Sequence, residues 1–325
     1  MSLDVDFSYW TVLSPKSRFA FLYSQHCSHF AILLFPMLFL FAFFSLTLSS
    51  AIRDIATKHS LKSIDGDVLA GCIGFLIFVA LLPYVLWVWI PHISLKLLGV
   101  ILLDGGLYFS GKYFNFTALK LGDISYISPL KWLTTVSIIL TEFLVFWTLP
   151  NTVGVFGILL IFSWAYIVWI KKEKKGVLAP VIHIFKDTSS QIYLITVACY
   201  WFTAVLDKVG VGLSNPTFWV CIMNGMVFAF SLRKIYSQKS QLGKIFKLNA
   251  PSFLTSSLLN LFTQVSQMYL ITMMYVSFVS AFKSASSVLS VILWGYLFRE
   301  KHLGKRFLWA IFAFIGILLI SFFGG

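Results

Sequence analysis

Residues 277–283 read SFVSAFK, and the related stretch SYISPLK occurs earlier in the chain at residues 125–131. Each copy opens an apolar run long enough to cross a bilayer, so Lys131 and Lys283 each lie several residues inside a hydrophobic helix. A lysine at the centre of a membrane helix costs roughly 2.5–3.5 kcal/mol on insertion scales, which makes it a functional-site hypothesis by default. Two lysines at matching positions predict one site shared by two related halves.

The composition is that of a helical membrane protein. Of the 325 residues, 59% are hydrophobic and only 11% are charged, which is too few charges for a soluble domain of this size. Apolar runs of about 20 residues recur throughout, so we predict an all-α polytopic membrane protein. The excess of 25 Lys and Arg over 12 Asp and Glu fits basic cytoplasmic loops, and no nucleic-acid partner is expected.

The apolar runs predict ten spans in two halves of five. An odd number of spans per half gives the halves opposite orientations, the inverted repeat of secondary transporters, in which substrate binds between the halves. The predicted segments are an N-terminal tail at 1–28, a first five-helix repeat at 29–170, a basic linker at 171–188 and a second repeat at 189–325. The predicted spans are 29–51, 67–90, 96–119, 123–148, 151–170, 189–209, 214–232, 250–275, 277–298 and 305–323.

Two further pairs of segments support the repeat. The sequence AIRD at residues 51–54 matches AVLD at residues 204–207. At the same spacing as the lysine motifs, polar residues of the third span fall on polar residues of the eighth. They are Tyr108, Lys112 and Asn115, which fall on Asn260, Gln264 and Gln267.

The distribution of Lys and Arg predicts the topology. Loops after odd-numbered spans hold 18 of them, Arg53 included, whereas the other side holds three. We therefore expect the odd-numbered loops to be cytoplasmic and both termini to lie on the opposite side. A bacterial inner membrane is the preferred location, and an organelle membrane is the alternative.

Polar stripes on four predicted spans indicate one water-accessible central cavity, because residues three or four apart share a helix face. Two lysines in a low-dielectric cavity repel each other, and an anionic ligand relieves that repulsion. The proton-coupling candidates are Glu142 and Asp104. The substrate-binding candidates are Lys131, Lys283, Lys112, Tyr108, Asn260, Gln264, Ser287 and Trp294.

Structural roles compete with these assignments. Lys112 could pair with Asp104 or Glu142, since charges inside a membrane usually find partners. The serines could serve helix packing, as small polar residues do in membranes. Asp207 and the adjacent Lys208 are more typical of an anchor near the membrane edge than of a ligand site.

Enzyme, metal and cofactor chemistry have little support in the sequence. The four cysteines show no CxxC spacing, and His26 and His29 have no partner ligands nearby. Paired carboxylates, a histidine cluster or a nucleophile constellation are not recognisable. We expect a non-enzyme without a cofactor.

The C-terminal residues 282–322 resemble the drug/metabolite transporter superfamily and its EamA-like ten-helix transporters. The resemblance is carried by VLSVILWGYLFRE at 288–300, followed by FIGILLI at 314–320. It implies ten spans in two inverted five-helix repeats, a central cavity and alternating access. In the distantly similar nucleotide-sugar and triose-phosphate transporters, lysines of helices four and nine bind phosphate, and these correspond to Lys131 and Lys283.

The leading hypothesis is a secondary transporter or exchanger of a small anionic or zwitterionic metabolite, with phosphorylated and nucleoside-type compounds included. One alternative is proton-coupled export of amino acids or amines. Another is flipping of a polyprenyl-phosphate-linked sugar across the bilayer. The expected partners are a small-molecule substrate and the lipid bilayer, with a proton or a counter-substrate as the coupling species.

Overall fold

The computed structural model describes residues 46–88, 90–122, 130, 133–135, 137–138, 141–142, 144, 151–157, 159–160, 187–280 and 283. These residues are almost entirely α-helical and contain no β-strand, which confirms the predicted all-α class for the described part of the chain. Within the ranges that the structure describes, three helices are long and apolar enough to cross a membrane, namely Gly66–Val88, Thr188–Leu213 and Pro216–Ser237.

The connections between consecutive helices are short where the structure describes them. The described parts of α1, α4 and α5 are residues 46–61, the helical residues between 130 and 144, and residues 152–157 with 159–160. The complete helices are α2 (Gly66–Val88), α3 (Leu95–Leu121), α6 (Thr188–Leu213), α7 (Pro216–Ser237) and α8 (Lys239–Met273). A ninth helix, α9, begins at residue 276.

Local sequence signals explain where three of these helices begin. Ser94, Asp187 and Asn215 precede α3, α6 and α7, and each side chain accepts the backbone N–H three residues further on. The distances are 3.1, 2.9 and 2.7 Å respectively. Such caps satisfy N–H groups that have no partner inside the helix. Pro216 occupies the first turn of α7, where its missing N–H costs nothing.

Two predicted boundaries are wrong. The first span was predicted to end at residue 51, but α1 continues to residue 61, so Arg53 lies inside a helix rather than in a loop. Lys58 lies in the same helical extension, and the predicted topology stays a prediction. The eighth span was predicted from residue 250, whereas α8 begins at Lys239 and runs through Pro251. Apolar length shows where a helix can lie in lipid and does not show where the helix ends.

Close helix packing forms the core. The most extensive contacts are those of α2 with α7 and of α3 with α6. At Gly111 of α3, an added Cβ would lie 2.7 Å from the ring of Tyr200, and at Gly210 of α6 it would lie 2.3 Å from the ring of Trp219. Glycine therefore permits both approaches. Large apolar side chains such as Trp87 and Leu95 are exposed, as expected of side chains that face lipid.

Candidate functional site

A polar cavity lies among α1, α3, α4, α6, α8 and α9. The volume of the cavity is about 150 Å³. Its charged lining residues are Arg53, Asp54, Lys112, Asp207 and Lys283. Its other polar and aromatic lining residues include Thr57, Tyr108, Asn115, Thr134, Tyr193, Tyr200, Thr203, Asn260, Gln264, Gln267 and Ser280.

Five of the predicted substrate-binding residues line this single cavity: Tyr108, Lys112, Asn260, Gln264 and Lys283. The other three, Lys131, Ser287 and Trp294, lie outside the described residues. The six polar residues that the repeat pairs between the third and eighth spans also all line the cavity, on facing walls formed by α3 and α8.

Lys112 is held by neutral groups. It is buried, its Nζ donates to Asn224 Oδ1 at 3.1 Å, and it lies 4.7 Å from the ring centroid of Tyr108. Asn224 also donates to Gln264 Oε1 at 2.6 Å, which links α3, α7 and α8. In the described part of the chain, Lys112 forms no ion pair with Asp104, so its positive charge is stabilised by an amide oxygen and an aromatic face.

Lys283 is positioned from α9 on the other side of the cavity. Its Nζ donates to Gln267 Oε1 of α8 at 2.8 Å. One turn earlier, the Ser280 hydroxyl is 2.9 Å from the Thr135 hydroxyl of α4. These contacts fix the first turns of α9 between α4 and α8 and direct Lys283 toward the polar walls.

Glu142, a predicted proton-coupling residue, lies in a different environment. Its carboxylate is completely buried and accepts the backbone N–H groups of Val276 at 2.6 Å and Ser277 at 3.0 Å. Lys208 Nζ lies 3.5 Å from the same carboxylate. Glu142 therefore caps the start of α9 and does not belong to the cavity lining among the described residues. A role in proton coupling stays a prediction.

Three charged cavity residues were not among the predicted site residues. Arg53 and Asp54 form an ion pair at 2.9 Å on α1, and Asp207 of α6 is buried in the wall. Asp207 was expected to be an anchor rather than part of a ligand site, and the structure instead places it in the cavity wall. The sequence repeat could have identified the two aspartates, because the AIRD and AVLD segments align Asp54 with Asp207 and both line the cavity.

Asp207 is also tied to the core behind the cavity. One of its carboxyl oxygens accepts Trp219 Nε1–H at 2.7 Å. Asp104, the second predicted proton-coupling residue, lies next to Asp207 and is completely buried. In the described part of the chain, the groups that could hold a metal ion do not cluster.

Apolar helices that surround a polar, charged cavity are compatible with a membrane transporter of small molecules. Residues 190–322 match the family model described as the EamA-like transporter family, so this part of the chain is similar to members of that family. The predicted resemblance to the drug/metabolite transporter superfamily is thereby confirmed. Members of this family are transporters and not enzymes.

The fold has a counterpart among solved structures. A structure described as "Crystal structure of protein" has a TM-score of 0.64 and 13% sequence identity to this chain. The similarity covers 87% of this chain and 96% of the other, so it extends well beyond the segment that the family model matches. No curated protein matches the chain by sequence.

Proposed function

We propose that the protein is a secondary active transporter or exchanger of a small anionic or zwitterionic metabolite. The carrying observation is that two lysines from different helices, Lys112 and Lys283, line one cavity and each donates to a neutral amide oxygen. In the described part of the chain, the ammonium group of Lys112 is stabilised by a neutral amide oxygen and an aromatic ring, which leave its charge in place. An anionic ligand group placed between the lysines would gain from both.

The charge balance of the lining favours a zwitterion. It contains three cations and two carboxylates among the described residues, and one cation, Arg53, is paired with Asp54. A ligand anion can bind near Lys112 and Lys283 while a ligand ammonium group approaches Asp207. The rings of Tyr108, Tyr193 and Tyr200 add aromatic surface on which a flat or apolar part of the ligand can pack.

Transport itself is supported by the similarity to the EamA-like transporter family and by the repeat. In the proposed mechanism, two inverted five-helix repeats alternate the access of the central cavity between the two sides of the membrane. Residues that the repeat pairs, such as Lys112 with Gln264 and Asp54 with Asp207, line both walls of the cavity. A rocking motion of one half against the other would then open the site to either side without dismantling it.

Proton-coupled export of amino acids or amines is the second candidate, and the buried Asp207 in the cavity wall favours it. An acidic residue there could meet the ammonium group of an amine and also carry a proton. The substrate of such an exporter would need no anionic group. The two candidates therefore differ in whether the lysines contact the ligand.

A thermal-shift screen of the purified protein tests the proposal. A ligand at a hundredfold excess over its Kd stabilises the folded state by about 2.7 kcal/mol. Carboxylated, phosphorylated and zwitterionic metabolites should stabilise the parent protein, and Lys112→Ala and Lys283→Ala should abolish that shift. Lys96→Ala is the matched control, because Lys96 lies on the same helix as Lys112 but is exposed near its start.

Two results would contradict the anion site. Stabilisation by amines alone, with the lysine variants responding like the parent, would support the export candidate. Stabilisation by polyprenyl-phosphate lipids alone would instead support flipping of a lipid-linked sugar.

A further inference from the structure

Asp104 is an unusual residue for the middle of a membrane helix. It lies in α3, its side chain is completely buried, and neither carboxyl oxygen meets a hydrogen-bond donor in the part of the chain that the structure describes. Isolated ionised carboxylates are among the costliest groups to bury. The group next to Asp104 should therefore show how the charge of its carboxyl is compensated or removed.

That neighbour is a second carboxyl group. Asp207 of α6 lies within hydrogen-bonding reach of Asp104, so two acidic side chains from two tightly packed helices meet inside the bundle. Asp207 lines the cavity, whereas Asp104 lies behind it. The Trp219 indole N–H donates to the Asp207 carboxyl at 2.7 Å, so among the described residues Asp207 has a donor and Asp104 has none.

We propose that Asp104 and Asp207 share one proton and form a proton-binding site in the wall of the cavity. Two ionised carboxylates in contact inside a low-dielectric interior repel strongly, and one proton held between them removes that repulsion. It also supplies the missing donor, because a protonated carboxyl can donate to its neighbour. The pair then titrates as a unit rather than as two independent acids.

The surrounding groups decide when the proton leaves. The titratable groups next to the pair are Lys283 on α9 and Tyr108 on α3. Arg53 and Asp54 on α1, Lys112 on α3 and Tyr200 on α6 line the same cavity as Asp207. Trp219 of α7 donates to Asp207, and the nearby lining of α8 consists of neutral amides. When the proton passes through Asp207 to water in the cavity, two negative charges remain, and the ammonium group of Lys283 compensates part of them.

This arrangement links proton binding to ligand binding, a consequence that rests on the proposed function. An anion bound at Lys283 neutralises the charge that favours the ionised pair, and it therefore promotes proton uptake by the pair. Linkage is reciprocal, so a bound proton also raises the affinity for the anion. A proton and an anionic ligand would then cross the membrane in the same direction.

Infrared spectroscopy of the full-length protein in detergent tests the proton site without any ligand. A protonated carboxylic acid has a carbonyl stretching band that an ionised carboxylate lacks. The parent protein should keep such a band at neutral pH, where exposed acids are ionised. Asp104→Asn should remove it, because Asp207 alone keeps the Trp219 donor and the nearby Lys283 and therefore ionises. Asp207→Asn leaves Asp104 completely buried and should keep the band to higher pH than in the parent. Asp65→Asn is the matched control, because Asp65 is a partly exposed aspartate at the end of the bundle and its replacement should leave the band unchanged.

A milder variant guards against misfolding of the aspartate variants. Trp219→Phe removes the N–H that stabilises the ionised form of Asp207, and the band should then persist to higher pH than in the parent. A parent spectrum without the band would overturn the proton site, and so would a band that survives unchanged in Asp104→Asn. Because no ligand is present, these results stand apart from the thermal-shift screen, whose failure would count against the anion site alone.

Discussion

At each end of the helical bundle, one carboxylate holds neighbouring segments together, and the two carboxylates lie in very different environments. At one end, Asp65 in the α1–α2 connection accepts Lys120 Nζ of α3 at 2.8 Å and Gln238 Nε2, between α7 and α8, at 2.6 Å. At the other end, Glu142 of α4 accepts the first two backbone N–H groups of α9. Each carboxylate links the first predicted half of the chain to the second.

Exposure separates the two linkages. The side chains of Asp65 and Lys120 are 41% and 44% exposed, whereas Glu142 is completely buried. An exposed ion pair contributes about 0–1 kcal/mol, because water and salt compete for both partners. A buried carboxylate that binds two backbone N–H groups and a nearby Lys208 has no such competitor. We call the first linkage the open-end contact and the second the buried clasp.

In a transporter that alternates its access, the difference in strength between the two linkages predicts which end of the cavity opens more easily. One end of the cavity must close while the other opens, and the end with the weaker contacts opens at lower free-energy cost. We therefore expect the end at Asp65 to open more readily than the end at Glu142. By the distribution of Lys and Arg, the end at Asp65 is the predicted cytoplasmic side.

Removal of the buried clasp should have the largest effect. Glu142→Ala leaves two buried N–H groups at the start of α9 without an acceptor and removes the partner of Lys208. Breaking a buried charge interaction costs about 3–5 kcal/mol. We expect a fall in the thermal unfolding midpoint of the purified protein that exceeds that of any substitution at the open-end contact.

Two companion variants show which part of the clasp matters. Glu142→Gln keeps an acceptor oxygen and should recover part of the stability. Lys208→Met leaves both backbone contacts in place and should cost less than Glu142→Ala. If Lys208→Met proved as harmful as Glu142→Ala, the ion pair rather than the helix cap would carry the clasp.

Overpacking beside the clasp should have an intermediate effect. Gly154 of α5 is buried, and an added Cβ would lie 2.8 Å from the ring of Phe278, which is itself buried in the first turn of α9. Gly154→Ala should therefore push α9 away from α5 and destabilise the protein by about 1–3 kcal/mol. Gly99→Ala is the control, because an added Cβ there meets no atom within 4 Å. Equal unfolding midpoints for the two variants would mean that α9 shifts freely at this end.

The same contrast explains what the sequence could and could not predict. The repeat made it possible to predict that Lys112, Gln264 and Lys283 lie at one cavity, because matching polar residues in apolar helices have few other positions available. It could not show that Glu142 caps α9, since that contact joins a side chain of one half to the backbone of the other. Asp207 was misplaced because a lone Asp-Lys pair at the end of an apolar run is typical of a membrane edge.

Disruption of the open-end contact should have a small effect. Asp65→Asn removes the charge that attracts Lys120, and we expect a loss of at most about 1 kcal/mol at neutral pH. The loss should shrink at high salt, since exposed charges are screened. Gln238→Ala is the matched variant that keeps the ion pair and removes only the second contact. Unfolding midpoints at low and high salt distinguish the two. A loss that does not depend on salt would mean that packing rather than charge holds this end.

The smallest expected effect is the pH dependence of the open-end contact, which tests whether the charge of Asp65 stabilises this end. Hydrogen bonds from Lys120 and Gln238 lower the pKa of Asp65 below its ordinary value of 3.8. A lowered pKa in the folded state means that the unfolded chain binds the proton more readily. The stabilisation by Asp65 is thus fully present above pH 3.8 and is lost as the pH falls through the folded-state pKa. The difference in unfolding midpoint between the parent and Asp65→Asn should accordingly stay constant from neutral pH to about pH 5 and vanish only in stronger acid. A difference that already changes between pH 6 and pH 8 would assign the effect to another titrating group.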